Sequence, residues 1–278
     1  MVLPVYVLCD CIAHKTWYDE RLVLWTIWIS IRRNPMQGFY CAIEGIDRCG
    51  KGTAIRGVEE RYKVSEFSEH ELFLITEPNN KNRMGQHIRE CLADKEGLIR
   101  PSPLVFQEYY MADRFSTMVC DVIPALKRNA VILSDRSFGS TLAYGTLGVP
   151  METLLKRFEA ILGSVIRYPH LMIYIDIPAE EAMRRKQLDA QAEPQFFEKQ
   201  STLERVREAY LKIMNEMGTQ YIRYEDEQTG ELLYKVHKMR CVIVDGIADP
   251  ATVLERVWNV FSSHLRWWTA QQQGAKES

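Results

Sequence analysis

From Met36 onward, short apolar runs rich in β-branched residues alternate with longer segments whose apolar positions recur every three or four residues. Runs of the first kind at 39–44, 71–75, 130–134, 171–176 and 240–244 predict strands. Ala130-Val131-Ile132-Leu133 leaves no polar face for solvent, as a strand covered on both sides requires. Helical spacing predicts helices over 151–165 (Leu154, Leu155, Phe158, Ile161, Leu162, Val165), 201–217 (Leu203, Val206, Tyr210, Ile213, Met214, Met217) and 250–265 (Val253, Leu254, Val257, Val260, Phe261). Pro178 and Pro250 fall where a helix's first turn tolerates a missing N–H. This alternation predicts an α/β fold, a doubly wound five-stranded parallel sheet flanked by helices.

The two ends depart from the pattern. Residues 1–35 hold three of the six tryptophans and two cysteines, with little periodicity outside an apolar run at 22–31. That run is too short to span a bilayer, and Arg32-Arg33-Asn34-Pro35 follows it instead of a small-residue cleavage site. We expect 1–35 to be an extension, with Met36 as the true start, or else an amphipathic arm packed on the domain. The domain is expected over 36–265, and 266–278 as a polar, frayed tail. With 278 residues, 46% hydrophobic and 26% charged, the chain suits one soluble domain. A net charge of −2 gives no basic field for a nucleic-acid polymer. The seven cysteines are odd in number and scattered, without zinc-type pairing, so a reduced, cytoplasmic setting is expected.

Chemistry enters at Gly45-Ile46-Asp47-Arg48-Cys49-Gly50-Lys51-Gly52-Thr53, which follows the first strand and opens a helix. This is G-x-x-x-x-G-K in its required context. Glycines let backbone amides close on phosphate oxygens, the helix presents its positive end to the same anion, and Lys51 adds a point charge. ATP with Mg²⁺ is the expected ligand. Gly52 takes the position of the usual Mg²⁺-binding hydroxyl, so Thr53 is the candidate ligand from the loop, with Asp135 opposite. Asn80-Lys81-Asn82-Arg83 lacks the Asp of a GTPase base-reading motif, which leaves a small kinase as the expectation.

Downstream segments narrow the substrate. Phe39-x₄-Glu44-Gly45-Ile46-Asp47-x-x-Gly50-Lys51 is followed by Thr76-Glu77-Pro78, then Gly85 and Ile88-Arg89-Glu90. Next come Tyr110-Met111-Ala112-Asp113-Arg114, Asp135-Arg136-x₃-Ser140-x-x-Ala143-Tyr144, Tyr174-Ile175-Asp176-Ile177-Pro178 with Glu181 and Arg184-Arg185, and Glu204-Arg205-Val206-Arg207-Glu208-x-Tyr210. In this order, from about Met36 to Phe261, they resemble the thymidylate kinase family. The resemblance implies a P-loop nucleoside monophosphate kinase fold, dTMP as acceptor and a homodimer.

Several roles follow from position and resemblance together. Asp135 and Arg136 end a buried strand, where a doubly wound sheet presents its ligands. Asp135 would hold Mg²⁺ and Arg136 would neutralise transferring charge, unless the two form a plain surface pair. Asp47 either caps the next helix or, as the resemblance implies, accepts from the sugar 3′-hydroxyl and orients Arg136. Tyr110 and Arg114, four apart, share a helix face. By resemblance Tyr110 stacks on thymine and Arg114 donates to its carbonyl. Ser140 and Tyr144 are likewise four apart, and the resemblance sets Tyr144 against the sugar, where it would clash with a 2′-hydroxyl. The family offers the transferring phosphate a basic residue either from the loop or from a lid. The lid expected over 188–200 contains no arginine, so the chain resembles the branch in which the loop, through Arg48, supplies the catalytic positive charge. Arg184, Arg185 and Lys186 either assist or form a solvated face. Thr76 stands where the bacterial family pattern has an Arg that meets the acceptor phosphate, leaving Lys81 or Arg83 as substitutes. A relative with another acceptor, and a non-catalytic nucleotide-binding protein, are the competing functions.

Overall fold

The computed structural model of the chain describes residues 38–94, 96–188, 199–216, 220–225, 232–237 and 239–277. The extension at 1–35, Met36 and most of the expected lid, including Gln195-Phe196-Phe197-Glu198, lie outside these residues. The chain begins with β1 (Phe39–Glu44) and α1 (Lys51–Tyr62), then β2 (Leu72–Thr76), α2 (Arg83–Ala93) and α3 (Pro103–Thr117). A π-helical turn, Met118–Val122, joins α3 to α4 (Ile123–Lys127), and β3 (Val131–Asp135), α5 (Phe138–Gly145) and α6 (Met151–Leu162) follow. After β4 (Leu171–Asp176) come α7 (Ala179–Leu188), α8 (Gln200–Glu216), a hairpin of β5 (Gln220–Glu225) and β6 (Leu232–His237), β7 (Arg240–Asp245) and α9 (Pro250–Glu277).

Five strands form one sheet in the order β2-β3-β1-β4-β7, every pairing parallel. The fold class is the expected one. All six residues of β1 are buried, and they alternate between two cores. Phe39, Cys41 and Ile43 join the larger core, with Val58 of α1 and Val257 and Phe261 of α9. Tyr40 and Ala42 join Ile132, Met118, Val122 and Leu126 on the other face. Helices therefore cover both sides, which is why the strands read as unbroken apolar runs. In register, Ile43 faces Asp135 across one ladder and Thr76 faces Asp135 across the next. The carboxyl ends of β1, β2 and β3 thus emerge at one level, at the sheet edge where ligands bind in such folds.

Several boundaries differ from the sequence reading. β2 and β3 each begin one residue later. For β3, the Ala130 amide bonds to the Ala125 carbonyl and closes the α4 turn before the strand starts. The β5–β6 hairpin, an antiparallel pair apart from the main sheet, was not expected. The supposed polar tail at 266–278 is corrected: α9 continues to Glu277. Its start was correctly sensed, since Asp249 Oδ1 caps the Ala251 and Thr252 amides, both at 3.0 Å, and Pro250 needs no amide partner. Beyond 265 the helix is pinned by Trp268, whose ring centroid lies 4.1 Å from His170 and 6.1 Å from Phe39. Arg266 adds an ion pair to Glu66 at 2.7 Å.

Because Trp268 is half-buried, Trp268→Ala is expected to cost about 2 kcal/mol, roughly half the loss typical of a fully buried Trp. Urea unfolding measures it. Gln271→Ala, one turn further on and exposed, should leave the midpoint in place. Equal effects of the two substitutions would mean the end of α9 is not docked on the domain.

Candidate active site

The loop between β1 and α1 is built to leave amides open. α1 starts at Lys51, and its cap is Gly50 in the left-handed conformation (φ 98), with no side chain closing on the first-turn N–H groups. Uncapped amides at a helix N-terminus favour an anion. Lys51 is buried, and its Nζ donates to the carbonyls of Gly45 at 2.9 Å and Ile46 at 3.2 Å, which holds the ammonium over the loop. Asp47 does not cap the helix. It forms an ion pair with Arg136 Nη2, both side chains largely buried. That outcome agrees with the orienting role and removes the capping alternative.

Arg136 is also held by Gly45 O at 3.3 Å, by Ser140 Oγ at 3.1 Å, and over the Tyr144 ring at 5.2 Å from the centroid. Burial opposes its charge, but Tyr144, Asp47, Tyr210 and Asp135 around it hold the guanidinium pKa well above its ordinary value. Arg136 (φ 72) and Arg48 (φ 66) both adopt left-handed backbone, a strained state that persists only where surroundings enforce it.

Two cavities meet at this loop. One, of about 750 Å³, runs from Lys51, Gly52 and Thr53 past Asp135 and Arg136 to Tyr110, Ser140 and Tyr144. The other, of about 650 Å³, lies between the loop, Arg184 and Arg185 of α7 and the β7–α9 turn at Ile247 to Pro250. Arg48 borders both. Arg185 is no solvated charge: it donates to Cys49 O at 3.2 Å, Gly246 O at 2.8 Å and Glu181 at 2.7 Å, tying loop, turn and helix together. Arg184 pairs with Glu181 at 2.7 Å while bordering the second cavity.

Asp135 Oδ1 is buried and accepts no hydrogen bond among the described residues. It shares the larger cavity with the Thr53 hydroxyl. Hard oxygen donors, one unsatisfied, beside a phosphate loop fit Mg²⁺. Arg56, on α1, also reaches this spot: its Nη2 lies 3.3 Å from Thr53 Oγ1.

Arg114 is placed differently from the expected base donor. It is 1% exposed and behind the cavity wall, with Nε 3.0 Å from Glu77 Oε2, Nη2 on the same carboxylate and Nη1 2.9 Å from Thr141 Oγ1. Glu77 and Thr141, not Arg114, face the cavity. Sequence reasoning missed Thr141, Arg56 and Arg89. Arg89 lines the acceptor end, held to Pro78 O at 2.7 Å, whereas Lys81 and Arg83 do not line it. Lys81 instead sits 5.4 Å over the Phe73 ring. The signal for Arg89 was present in Ile88-Arg89-Glu90; what sequence alone lacked was the helix's rotation.

A β1–loop–α1 phosphate cradle at the edge of a parallel sheet, continuous with an aromatic-walled pocket, defines a P-loop protein of the nucleotide-phosphotransferase class. The chain belongs to the thymidylate kinase family: the family model matches residues 43–235. It is similar to the thymidylate kinase of Caldanaerobacter subterraneus, 31% identical over 206 residues, covering 73% of this chain and 93% of that one. A thymidylate kinase of a Thermoanaerobacter species is 30% identical over 73% of this chain and 95% of its own, and one from Prochlorococcus marinus is 35% identical over 54% and 72%.

Arg114→Met tests the buried pair. It strands Glu77 in the interior and is expected to cost about 3–5 kcal/mol. Burial already pushes the Glu77 carboxyl up to about 7, against the pull of Arg114. Without the arginine the folded chain keeps that proton while the unfolded chain releases it. Stability of the variant should therefore fall as pH rises from 5 toward 8, and denaturation at several pH values reads it. A loss independent of pH would mean that Glu77 is not the stranded partner.

Proposed function

We propose that this chain is an ATP- and Mg²⁺-dependent kinase that transfers the γ-phosphoryl group to dTMP, giving dTDP and ADP. One observation carries the reading: a single cavity has the Lys51 loop at one end and the Tyr110–Tyr144 pocket at the other, with Arg136 between them. Phosphoryl transfer demands alignment and charge neutralisation more than covalent chemistry. Lys51 and the loop amides grip the donor phosphates, and Arg48 and Arg136 face the transferring group. Asp135 with Thr53 would hold Mg²⁺, which would supply charge neutralisation at the phosphate oxygens. The second cavity receives the donor base and sugar. Arg89 receives the acceptor phosphate, Asp47 the acceptor sugar, and Tyr144 stands beside it.

Thymine recognition runs through Thr141. Its oxygen accepts from Arg114, so its own hydroxyl hydrogen is free to turn into the cavity and donate to a base carbonyl. Tyr110, set edge-on to Phe106 with centroids 5.3 Å apart, supplies a fixed stacking face. Similarity to thymidylate kinases supports the same substrate. The homodimer implied by the family resemblance and a cytoplasmic setting belong to this proposal. Among the described residues no helix is long and apolar enough to cross a membrane.

A coupled ADP-release assay with dTMP against UMP, CMP and AMP tests the reading, and preference for any of the latter would overturn it. Arg48→Gly suits the left-handed backbone at that position, so folding should be untouched. It is expected to lower kcat about 100-fold or more with little change in KM for ATP; an unaltered kcat removes Arg48 from the chemistry. Asp135→Asn should raise the Mg²⁺ concentration for half-maximal rate about tenfold or more. An unchanged Mg²⁺ titration would take Asp135 out of the metal site.

A further inference from the structure

Tyr210 of α8 is wholly buried and lines neither cavity. Its hydroxyl lies 2.7 Å from Ser140 Oγ and 2.9 Å from Glu44 Oε2. Ser140 Oγ is in turn 2.7 Å from the same carboxylate oxygen and accepts from Arg136 Nη1 at 3.1 Å. Ser137 Oγ, at 2.7 Å, and the Ser140 amide, at 3.3 Å, serve the other oxygen of Glu44. A fully buried carboxylate at the last position of β1 is thus satisfied by hydroxyls and an amide, and Tyr210 is the member that comes from a separate helix.

The ring makes different contacts from the hydroxyl. It meets Tyr144 edge-on, at 86° with centroids 6.3 Å apart, and stacks on Tyr174 of β4 at 4.9 Å and 26°. Tyr144 is therefore backed by Tyr210 and stabilised by the Arg136 guanidinium over its own ring. A side chain that discriminates by bulk works only if it cannot retreat, and close packing behind it is what prevents retreat.

We propose that Tyr210 is a positioning residue with two separable functions: its ring is the strut that makes Tyr144 a rigid wall against an acceptor 2′-hydroxyl, and its hydroxyl fixes Arg136 through Ser140. This rests on the dTMP-kinase reading, in which Tyr144 stands beside the acceptor sugar. The strut sets sugar discrimination without touching the acceptor.

Steady-state kinetics of the full chain with dTMP and with ribothymidine 5′-monophosphate separate these functions. Tyr210→Phe keeps the ring: the ratio of kcat/KM for the two acceptors should stay within about threefold of wild type, while kcat falls about tenfold as Arg136 loosens. Tyr210→Leu removes the strut, and the ratio should drop about tenfold or more through relative gain on the ribonucleotide. If the leucine variant does not fold, Tyr210→Met fills more of the space with a flexible chain and carries the same expectation. A purely structural residue would lower Tm in these variants without moving the ratio. An unchanged ratio in the variants lacking the ring, or an equal loss of discrimination in Tyr210→Phe, overturns the strut. A wild-type chain that does not prefer the deoxynucleotide overturns the reading of Tyr144 and the strut with it; a wild type that discriminates isolates the failure to Tyr210.

Discussion

The guanidinium of Arg136 is where the phosphate loop, the end of β3 and the first turns of α5 meet. Its backbone sits in a conformation that costs about 1–3 kcal/mol for a residue with a Cβ. Four contacts recover that cost and fix the head: the Asp47 carboxylate, the Gly45 carbonyl, the Ser140 hydroxyl and the Tyr144 ring. Two belong to the loop and two to the acceptor pocket. In the proposed reading, movement of the guanidinium would shift the donor loop against the acceptor pocket, and a misplacement on the order of 1 Å costs phosphoryl transfer heavily. The parallel register that sets Ile43 opposite Asp135 makes this meeting possible, because it brings β1 and β3 to an end at the same height.

The protein buries two carboxylates, Glu77 in the cleft wall and Glu44 behind it, by different means. Glu77 is matched with a cation, Arg114; Glu44 is matched with hydroxyls. Neither arrangement is the cheapest way to fill a core, since apolar residues of equal volume avoid the desolvation. Each, however, orients a hydroxyl that faces the cleft: Arg114 occupies one acceptor site of Thr141, and Glu44 occupies Ser140. Directional bonds to a buried charge fix a rotor that dispersion contacts would leave free.

The parallel sheet and the phosphate loop were legible in the sequence, because both depend on strong local signals. Buried strands are apolar throughout, and the phosphate loop demands its glycines and Lys51. The misses have physical causes. Arg114 reads as a base contact by the family resemblance, but its spacing of four from Tyr110 fixes only the helix face, and Arg114 lies on the side of that face turned to Glu77. Arg89 stood inside a recognisable motif and Thr141 did not, yet neither could be placed at the cavity, since which residue of a helix borders a cavity depends on the rotation of the packed helix. The end of α9 was hidden because its polar residues, Gln271 onward, match a tail in composition; one aromatic contact from Trp268 to His170 holds that stretch in register. The β5–β6 hairpin was lost for the opposite reason, its two short strands standing apart from any long-range apolar pattern.

The placement of positive charge has a further consequence. Segment 188–200 contains no arginine, while Lys51, Arg48, Arg56 and Arg136 all border the cavity from the loop, α1 and the end of β3. Electrostatic stabilisation of a transition state is most effective when the charges stand in place beforehand and need no reorganisation during reaction. A charge delivered by a moving segment must be gathered on every turnover; one carried by a strained loop is stored once, in the fold. Gly52 belongs to this arrangement. Without a side chain at that position, the Arg56 guanidinium lies within 3.6 Å of where a Cβ would stand. Gly52 offers no hydroxyl, so in the proposed reading the oxygen donors for Mg²⁺ are Thr53 and Asp135.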